Sequence, residues 1–274
     1  MGSASSTERR SSCHSSAGSG HAESTRSAEA LSPGLRPIFD GMVPKLGLRR
    51  GDRVLDAGCG SGAISVALAH HGISVLGIDL NFEKIDEAKR AAEFAGVQDR
   101  TWFLLGDLRT VITEDDFLDA IVFVAARSQA PDIESCLREF HRVLKPGGRL
   151  AVFDEFETGP ADPEEHSHDL EADGAEWLDS AAAMNSNLEL FKYTVEDAGF
   201  VDVDTKDLSG GTFPLGHISH AVSTFSDALG RTFRYTEPFR NVGTNPVGRI
   251  TRHRSKDKPL LIIATKPAAE KVKN

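Results

Sequence analysis

The chain has 274 residues, a formal net charge of −10 at pH 7 and 39% hydrophobic residues, a composition typical of globular proteins. The excess of acid disfavours a general nucleic-acid binder, because the phosphate backbone would repel it. No apolar run approaches the length that spans a bilayer, and the first residues lack an apolar signal core.

The three cysteines lie far apart, at Cys13, Cys59 and Cys136. An odd and dispersed set does not form a disulfide framework, and none of the three has the spacing of metal ligands. The sequence therefore predicts a cytoplasmic protein without a metal site.

Residues 1–30 are rich in Ser, Ala and Gly and offer almost nothing to bury. This composition predicts a disordered arm, with ordering by a partner chain as the alternative. A homo-oligomer that exchanges this arm is left open. Between residues 31 and 48, the spacing of apolar side chains predicts a short helix.

The most informative stretch is an apolar run that ends at Asp56 and leads into Gly58, Gly60 and Gly62, with a helical segment from Ala63. Glycines turn tightly and let backbone N–H groups approach a ligand at the positive end of a helix. The next apolar run ends at Asp79, where an acid can accept both hydroxyls of a ribose. This unit predicts a nucleotide-binding strand, loop and helix.

Strands and helices then alternate through residues 53–156, which predicts a parallel sheet with right-handed crossovers. Asn81 is predicted to cap a helix, and Asp132 to cap another that ends at Leu144. A third strand is predicted to end in the run from Leu104 to Asp107, and a fourth to cover residues 117–124. The first of these helices is expected to turn five apolar side chains towards the sheet, Phe82, Ile85, Ala88, Ala92 and Phe94.

The Lys145 to Gly148 segment reads as a helix stop, followed by a fifth strand from Arg149 to Phe153. Later elements are a helix over residues 185–200, a strand over 201–207 and a last strand over 260–265. Residues 209–257 separate the final two strands and are too long for a simple loop. Their apolar side chains predict a lid or substrate cap, with a self-packed surface subdomain as the alternative.

The pattern Asp56-x-Gly58-x-Gly60-x-Gly62 with Asp79 resembles the class I S-adenosylmethionine (SAM) dependent methyltransferases. The resemblance implies an α/β, Rossmann-like fold, a seven-stranded and mostly parallel sheet with helices on both faces and a cap inserted before the last strand. Residues 31–208 and 258–268 would form the core and 209–257 the cap. The implied cofactor-binding residues are Asp56, Gly58, Cys59, Gly60, Gly62, Asp79, Leu80, Gly106, Asp107, Leu108 and Val124.

The sequence signatures of several methyltransferase subclasses are absent from this chain. The Asn/Asp-Pro-Pro-aromatic segment of amino-methylating nucleic-acid enzymes is replaced by residues 125–128, and no Pro-Cys occurs. The acid cluster of magnesium-dependent catechol enzymes is reduced to Asp132. These observations leave a small organic acceptor.

A closer resemblance is to the sterol and terpenoid C-methyltransferases. It rests on residues 130–132, the run from Arg142 to Gly148, and Phe153 with Asp154. It continues through residues 198–200, 213–215 and 229–233. That family's aromatic segment before the glycine loop is absent here, and its glutamate and histidine after the fourth strand are Ala125 and Gln129. A smaller prenylated acceptor is therefore expected, as in the teleocidin-type enzymes.

On this resemblance an alkene of the acceptor takes the methyl group and becomes a carbocation. Aromatic faces can stabilise a cation, and a neutral imidazole can remove the following proton. We predict His166 as the base, with Glu165 and His168 as alternates; all three could instead be solvated loop residues. The aromatic candidates, each of which could equally be core packing, are Phe153, Phe156, Trp177, Phe191, Phe213 and Tyr235.

Two other functions stay open at this point. One is an O- or N-methyltransferase of a small metabolite that uses the same cofactor crevice. The other is a SAM-fold protein without methyl transfer, acting as a cyclase or a binding partner. The glycines at 58, 60 and 62 with Asp79 favour retention of the cofactor in each case.

Overall fold

A computed structural model of the protein describes residues 36–127, 130, 132–158, 187–209 and 257–269. The strands in this part of the chain are β1 (Arg53–Ala57), β2 (Ser74–Asp79), β3 (Thr101–Leu105), β4 (Leu118–Val124), β5 (Leu144–Glu157), β6 (Val201–Asp207) and β7 (Asp257–Thr265). The helices are α1 (Arg36–Leu46), α2 (Ala63–His70), α3 (Phe82–Ala95), α4 (Ile133–Val143) and α5 (Leu188–Asp197).

The seven strands form one sheet in the order β3-β2-β1-β4-β5-β7-β6. Strands β1 to β5 are parallel, whereas β7 runs antiparallel to both β5 and β6. The predicted fold class is therefore confirmed. The strand order reverses between β1 and β4, and ligands bind such sheets at the carboxyl ends of the strands beside the reversal.

Helices cover both faces of the sheet, as predicted. Alternate residues of β4 face opposite sides, so that Val122 joins the core under α1, α2 and α3 while Phe123 joins the core under α4 and α5. Burial on both faces explains the unbroken apolar runs of the central strands. Among the described residues, no helix is both long enough and apolar enough to cross a membrane.

Helix α3 corrects one prediction. Asn81 caps it as expected, its side chain accepting hydrogen bonds from the N–H groups of residues 83 and 84. Phe82 and Phe94 are however 69% and 60% exposed instead of facing the sheet. Ile85 and three alanines form the buried stripe. The small side chains of the alanines let the helix lie close to the sheet. The two phenylalanines flank that stripe and are left outside it.

The start of β5 corrects another prediction. Helix α4 ends at Val143, and β5 begins at the next residue, well before the predicted Arg149. Leu118 pairs with Leu144 and Ala120 with Arg149, so the register shifts between them. The Lys145 to Gly148 segment is thus an irregular part of the strand instead of a loop before it, which fits the positive φ of 79° at Gly147.

Strand β5 extends beyond β4, and its last residues pair with β7. Glu157 pairs with Asp257 and forms an isolated bridge with Asn187, while the Leu208 N–H donates to the Pro259 carbonyl at 3.0 Å. We call the ends of these elements, at residues 157, 187, 208 and 257, the ribbon corner. The segments 159–186 and 210–256, which lie outside the described residues, are both joined to the sheet there.

Candidate functional site

The glycine loop after β1 is tied to the end of β2. The Cys59 N–H donates to the Ile78 carbonyl at 3.0 Å, and the Gly60 N–H donates to Asp79 Oδ2 at 2.9 Å. The Gly62 N–H closes the turn on the Cys59 carbonyl at 2.9 Å. The loop therefore lies across the carboxyl edge of the sheet and leads directly into α2.

Gly58 and Gly62 have no room for a side chain. Their φ angles are +67° and +83°, which L residues rarely adopt. A Cβ at residue 58 would lie 2.5 Å from the Ala126 Cβ, and one at residue 62 would lie 2.9 Å from the Ala88 Cβ. Both positions require glycine because the backbone turns and because neighbouring elements come close.

Asp79 is held in place by two backbone donors. Its Oδ2 accepts from Gly60, and its Oδ1 accepts from the Asn81 N–H at 2.8 Å. A carboxylate offers about four acceptor sites, so about two are left for a ligand. The side chain lines a cavity, and two vicinal hydroxyls match what it can still accept.

This cavity is open to solvent and lies at the carboxyl ends of β1, β2 and β3. It is lined by Gly58, Asp79, Leu80, Asp107, Leu108, Arg109, Ala126, Ala130, Asp132 and Cys136. The first five are among the residues predicted from the sequence, and the structure brings them together. Apolar walls with a few convergent polar groups are typical of a small-molecule site.

Asp107 is not a bare acceptor. The Arg109 guanidinium forms a fork on it, with Nε 3.1 and 3.0 Å from its two oxygens and Nη2 2.6 Å from Oδ2, and the Arg109 N–H also donates to it. These hydrogen bonds hold the pKa of Asp107 below its usual value. The carboxylate is thus fixed and ionised at the cavity wall.

The turn after β4 has a backbone conformation that the sequence did not reveal. Ala125 has a φ of +52°, rare for a residue with a side chain, and its N–H donates to the Phe153 carbonyl at 2.9 Å. This conformation sets Ala126 against Gly58 and turns Arg127 inwards. Strained backbone of this kind is concentrated at functional sites.

Arg127 is buried, although arginine in a polar sequence suggests a surface position. Its Nη2 donates to the Glu155 carbonyl at 2.7 Å, and its Nε lies 3.4 Å from Asp154 Oδ2. The guanidinium carbon lies 4.3 Å from the centre of the Phe156 ring. These contacts join the turn after β4 to β5, and their partners are too distant in sequence for local patterns to show.

Other predicted cofactor residues lie around the cavity without lining it. Val124 and Cys59 are buried, and the Cys59 Sγ donates to the Gly60 carbonyl at 3.7 Å. The Gly106 N–H donates to the Asp79 carbonyl at 3.1 Å. Cys59 thus contacts the glycine loop, and Gly106 contacts the residue that carries the Asp79 carboxylate.

The aromatic candidates within the described residues are part of the core. Phe153 belongs to the core under α1 to α3, while Phe156 and Phe191 belong to the opposite core with ring centres 5.1 Å apart. The remaining predicted residues lie outside the described part of the chain; they are Glu165, His166, His168, Trp177, Phe213 and Tyr235.

Asp56 is fully buried beneath the glycine loop. Its Oδ2 accepts from Ser65 Oγ at 2.6 Å. Burial raises the pKa of Asp56 to about 6, although the Ser65 hydrogen bonds act in the opposite direction. The folded state therefore binds a proton here that the unfolded state releases near pH 4.

We expect the stability difference between the wild type and Asp56→Asn to depend on pH. A raised folded-state pKa means that wild-type stability from this group is lost as pH rises from about 4 to 6. The asparagine variant has no group that ionises at this position. Its free energy of unfolding, relative to that of the wild type, should therefore rise by about 3 kcal/mol between pH 4 and 7. Denaturant unfolding at several pH values measures this gain.

Ser65→Ala is the matched comparison for this titration. Loss of the Ser65 hydroxyl removes a hydrogen bond that favours the carboxylate, so the pH range of the effect should move upwards. A difference between wild type and Asp56→Asn that stays constant from pH 4 to 7 would contradict the buried titration.

The sequence of this chain is similar to a methyltransferase family model and to several known proteins. Residues 55–152 match the family model described as a methyltransferase domain. The chain is 30% identical over 202 residues to an S-adenosyl-L-methionine-dependent Diels-Alderase of Talaromyces variabilis, covering 69% of this chain and 66% of the relative. It is 30% identical over 213 residues to a cycloartenol-C-24-methyltransferase of Oryza sativa subsp. japonica, covering 74% and 62%.

A sterol 24-C-methyltransferase of Saccharomyces cerevisiae is 31% identical over 166 residues, covering 60% of this chain and 43% of the relative. The chain thus spans between 43% and 66% of the lengths of these three relatives. Among solved structures, the 4+2 cyclase SpnF has a TM-score of 0.61 at 19% identity, covering 85% of this chain and 81% of that one. Geranyl diphosphate C-methyltransferase of Streptomyces coelicolor has a TM-score of 0.56 at 18% identity, covering 84% and 75%.

Proposed function

We propose that this chain, which belongs to the class I SAM-dependent methyltransferases, transfers a methyl group to a carbon atom of a small apolar isoprenoid or terpenoid metabolite. The observation that carries the proposal is the cavity in which Asp79 faces the glycine loop at the carboxyl edge of the sheet. Relatives named sterol and cycloartenol C-24-methyltransferases support carbon as the acceptor atom.

The residues that line the cavity fit an adenosyl group. Asp79 retains about two acceptor sites for the ribose hydroxyls. Leu80, Leu108 and Ala126 give apolar walls for a purine, and the ionised Asp107 carboxylate lies at the same wall. The sulfonium of bound SAM supplies an electrophilic methyl group.

The chain's contribution to the reaction is then mainly placement of the acceptor. Correct placement of two reactants can supply roughly 7–11 kcal/mol of the barrier reduction. The acceptor would lie beyond the turn after β4, because ligands of such sheets occupy the carboxyl ends of the strands. Segments 159–186 and 210–256 are joined to the same edge at the ribbon corner, which supports their role as walls of the acceptor site.

A cyclase that binds SAM without methyl transfer is the second candidate. It is favoured by the 30% identity to a protein named a SAM-dependent Diels-Alderase. Both functions use the same cofactor cavity, so the cavity does not separate them. An O- or N-methyltransferase remains the enzyme alternative.

The test is transfer from SAM carrying an isotopically labelled methyl group to a panel of prenylated acceptors. Carbon transfer predicts a product heavier by one methyl group, with the label on a carbon of the isoprenoid chain. Label on oxygen or nitrogen would support the alternative enzyme. SAM binding with isomerisation and no label transfer would support the cyclase.

His166 is proposed as the base that removes a proton after transfer, with Glu165 and His168 as alternates. His166→Ala should bind SAM with wild-type affinity and lose turnover about 100-fold, because a positioned base contributes roughly 10²- to 10⁴-fold. Glu165→Ala and His168→Ala test the two alternates in the same assay. Unchanged turnover in His166→Ala would remove His166 from the mechanism.

A setting in terpenoid secondary metabolism follows from the proposed acceptor class. A reducing cytoplasmic compartment would keep Cys59 and Cys136, both free thiols in the structure, in that form. The exchange of residues 1–30 between subunits remains a prediction that size measurement on a chain lacking them can test.

A further inference from the structure

The connection from β3 to β4 contains no helix in the structure. Residues 106–117 form a series of turns and bends, and Val111 is buried in the core under α4. The start of this segment supplies Asp107, Leu108 and Arg109 to the cavity wall. The shape of that wall therefore depends on the contacts that fix the position of residues 106–117.

Two side chains of α4 hold it. Arg142 donates from Nη2 to the Val111 carbonyl at 3.0 Å and from Nη1 to the Thr113 carbonyl at 3.1 Å. Glu139 Oε1 accepts from the Val111 N–H at 2.7 Å. Both backbone polar groups of Val111 are thus bound by a single helix.

The two side chains also hold each other. Arg142 Nε donates to Glu139 Oε2 at 2.8 Å and Nη2 donates to Oε1 at 2.7 Å, while Nη1 pairs with Asp115 at 2.5 Å. These contacts lower the pKa of Glu139 and raise that of Arg142. Glu139 is largely buried and Arg142 is half-buried. A planar guanidinium with five donors satisfies this set of acceptors, which an ammonium group cannot match.

We propose that Glu139 and Arg142 are positioning residues for the cofactor: they form a clamp that keeps residues 107–115 in the shape that receives the adenosyl group. The inference rests on the proposed function, since it takes SAM as the ligand. The clamp touches neither the cavity nor the ligand and acts through the backbone that carries Asp107, Leu108 and Arg109.

The size of the effect follows from the competent population of the segment. Apparent affinity falls in proportion to the fraction of molecules whose binding site is already formed. If loss of Arg142 lowers that fraction to about one tenth, the Kd for SAM rises about tenfold. The chemical step, once both ligands are bound, is not expected to change.

The experiment compares the full-length wild type with Arg142→Met by calorimetry with SAM and by amide hydrogen exchange without it. We expect the variant to bind SAM about tenfold more weakly. Exchange should accelerate in peptides covering residues 107–115 and stay at wild-type rates in β1 and β4. Arg138→Met is the matched control, because Arg138 lies on the same helix and pairs with Glu134 through a solvent-exposed contact of 3.5 Å.

Glu139→Gln is the second variant and keeps the test valid should Arg142→Met fail to fold. It retains an oxygen for the Val111 N–H but loses the charge facing Arg142, so a smaller rise in the Kd for SAM is expected. Wild-type SAM affinity in a folded Arg142→Met or Glu139→Gln variant would overturn the clamp. Absence of SAM binding by the wild type would instead overturn the proposed function, and the clamp's role in cofactor binding with it.

Discussion

Gly58→Ala is expected to weaken SAM binding by about 100-fold, a loss of about 2.8 kcal/mol of binding free energy. The added Cβ would lie 2.5 Å from the Ala126 Cβ, so either the glycine loop or the turn after β4 must move. Both form the cavity. Calorimetric titration with SAM measures the Kd, and thermal unfolding reports whether the variant still folds.

Gly96→Ala is the matched control for backbone strain. Gly96 has a φ of +69°, close to that of Gly58, but nothing lies within 4 Å of the Cβ it would gain. The control should lose about 1 kcal/mol of stability and keep its affinity for SAM. The double variant Gly58→Ala with Ala126→Gly removes the clash and should recover part of the affinity. Equal SAM affinity in Gly58→Ala and wild type would contradict the site.

Asp79→Ala is expected to reduce SAM affinity by at least about 100-fold. Each hydrogen bond from a ribose hydroxyl to a carboxylate contributes about 1.5–3 kcal/mol, and the substitution removes both. It also removes the acceptor of the Gly60 and Asn81 N–H groups, so the loop loses its tie to β2. Affinity is measured by calorimetry with SAM and with its demethylated product.

Asp86→Ala is the control for this variant. Asp86 is an exposed acid on α3 that pairs with Arg90, and exposed pairs contribute little to stability. The control should bind SAM like the wild type. If Asp79→Ala bound SAM as tightly as Asp86→Ala, the cofactor would have to be held elsewhere.

Local patterns in the sequence predicted the glycine loop, Asp79 and the alternating strands and helices. The glycines at 58, 60 and 62 and the acid at 79 follow from spacing alone, and the alternation of strand and helix led to the observed sheet. The fit of apolar side chains was harder to predict. Phe82 and Phe94 fall on the expected helix, yet the small residues between them set how closely that helix approaches the sheet.

Contacts between distant residues were not predictable from one sequence. Arg127 is buried because Asp154, the Glu155 carbonyl and Phe156 surround it, and all three are at least 27 positions away in the chain. Arg142 is a partner of the segment after β3 only once α4 is in place. Such long-range pairs arise from the fold itself.

The ribbon corner has a consequence for how acceptor preference can change. Since residues 157, 187, 208 and 257 are neighbours, the two long segments between them enter and leave the core at one place. The glycine loop and Asp79 follow β1 and β2, and the clamp lies on α4, so none of them is at those junctions. We therefore expect loop grafting from related enzymes at these four positions to change the proposed acceptor preference while SAM binding is retained.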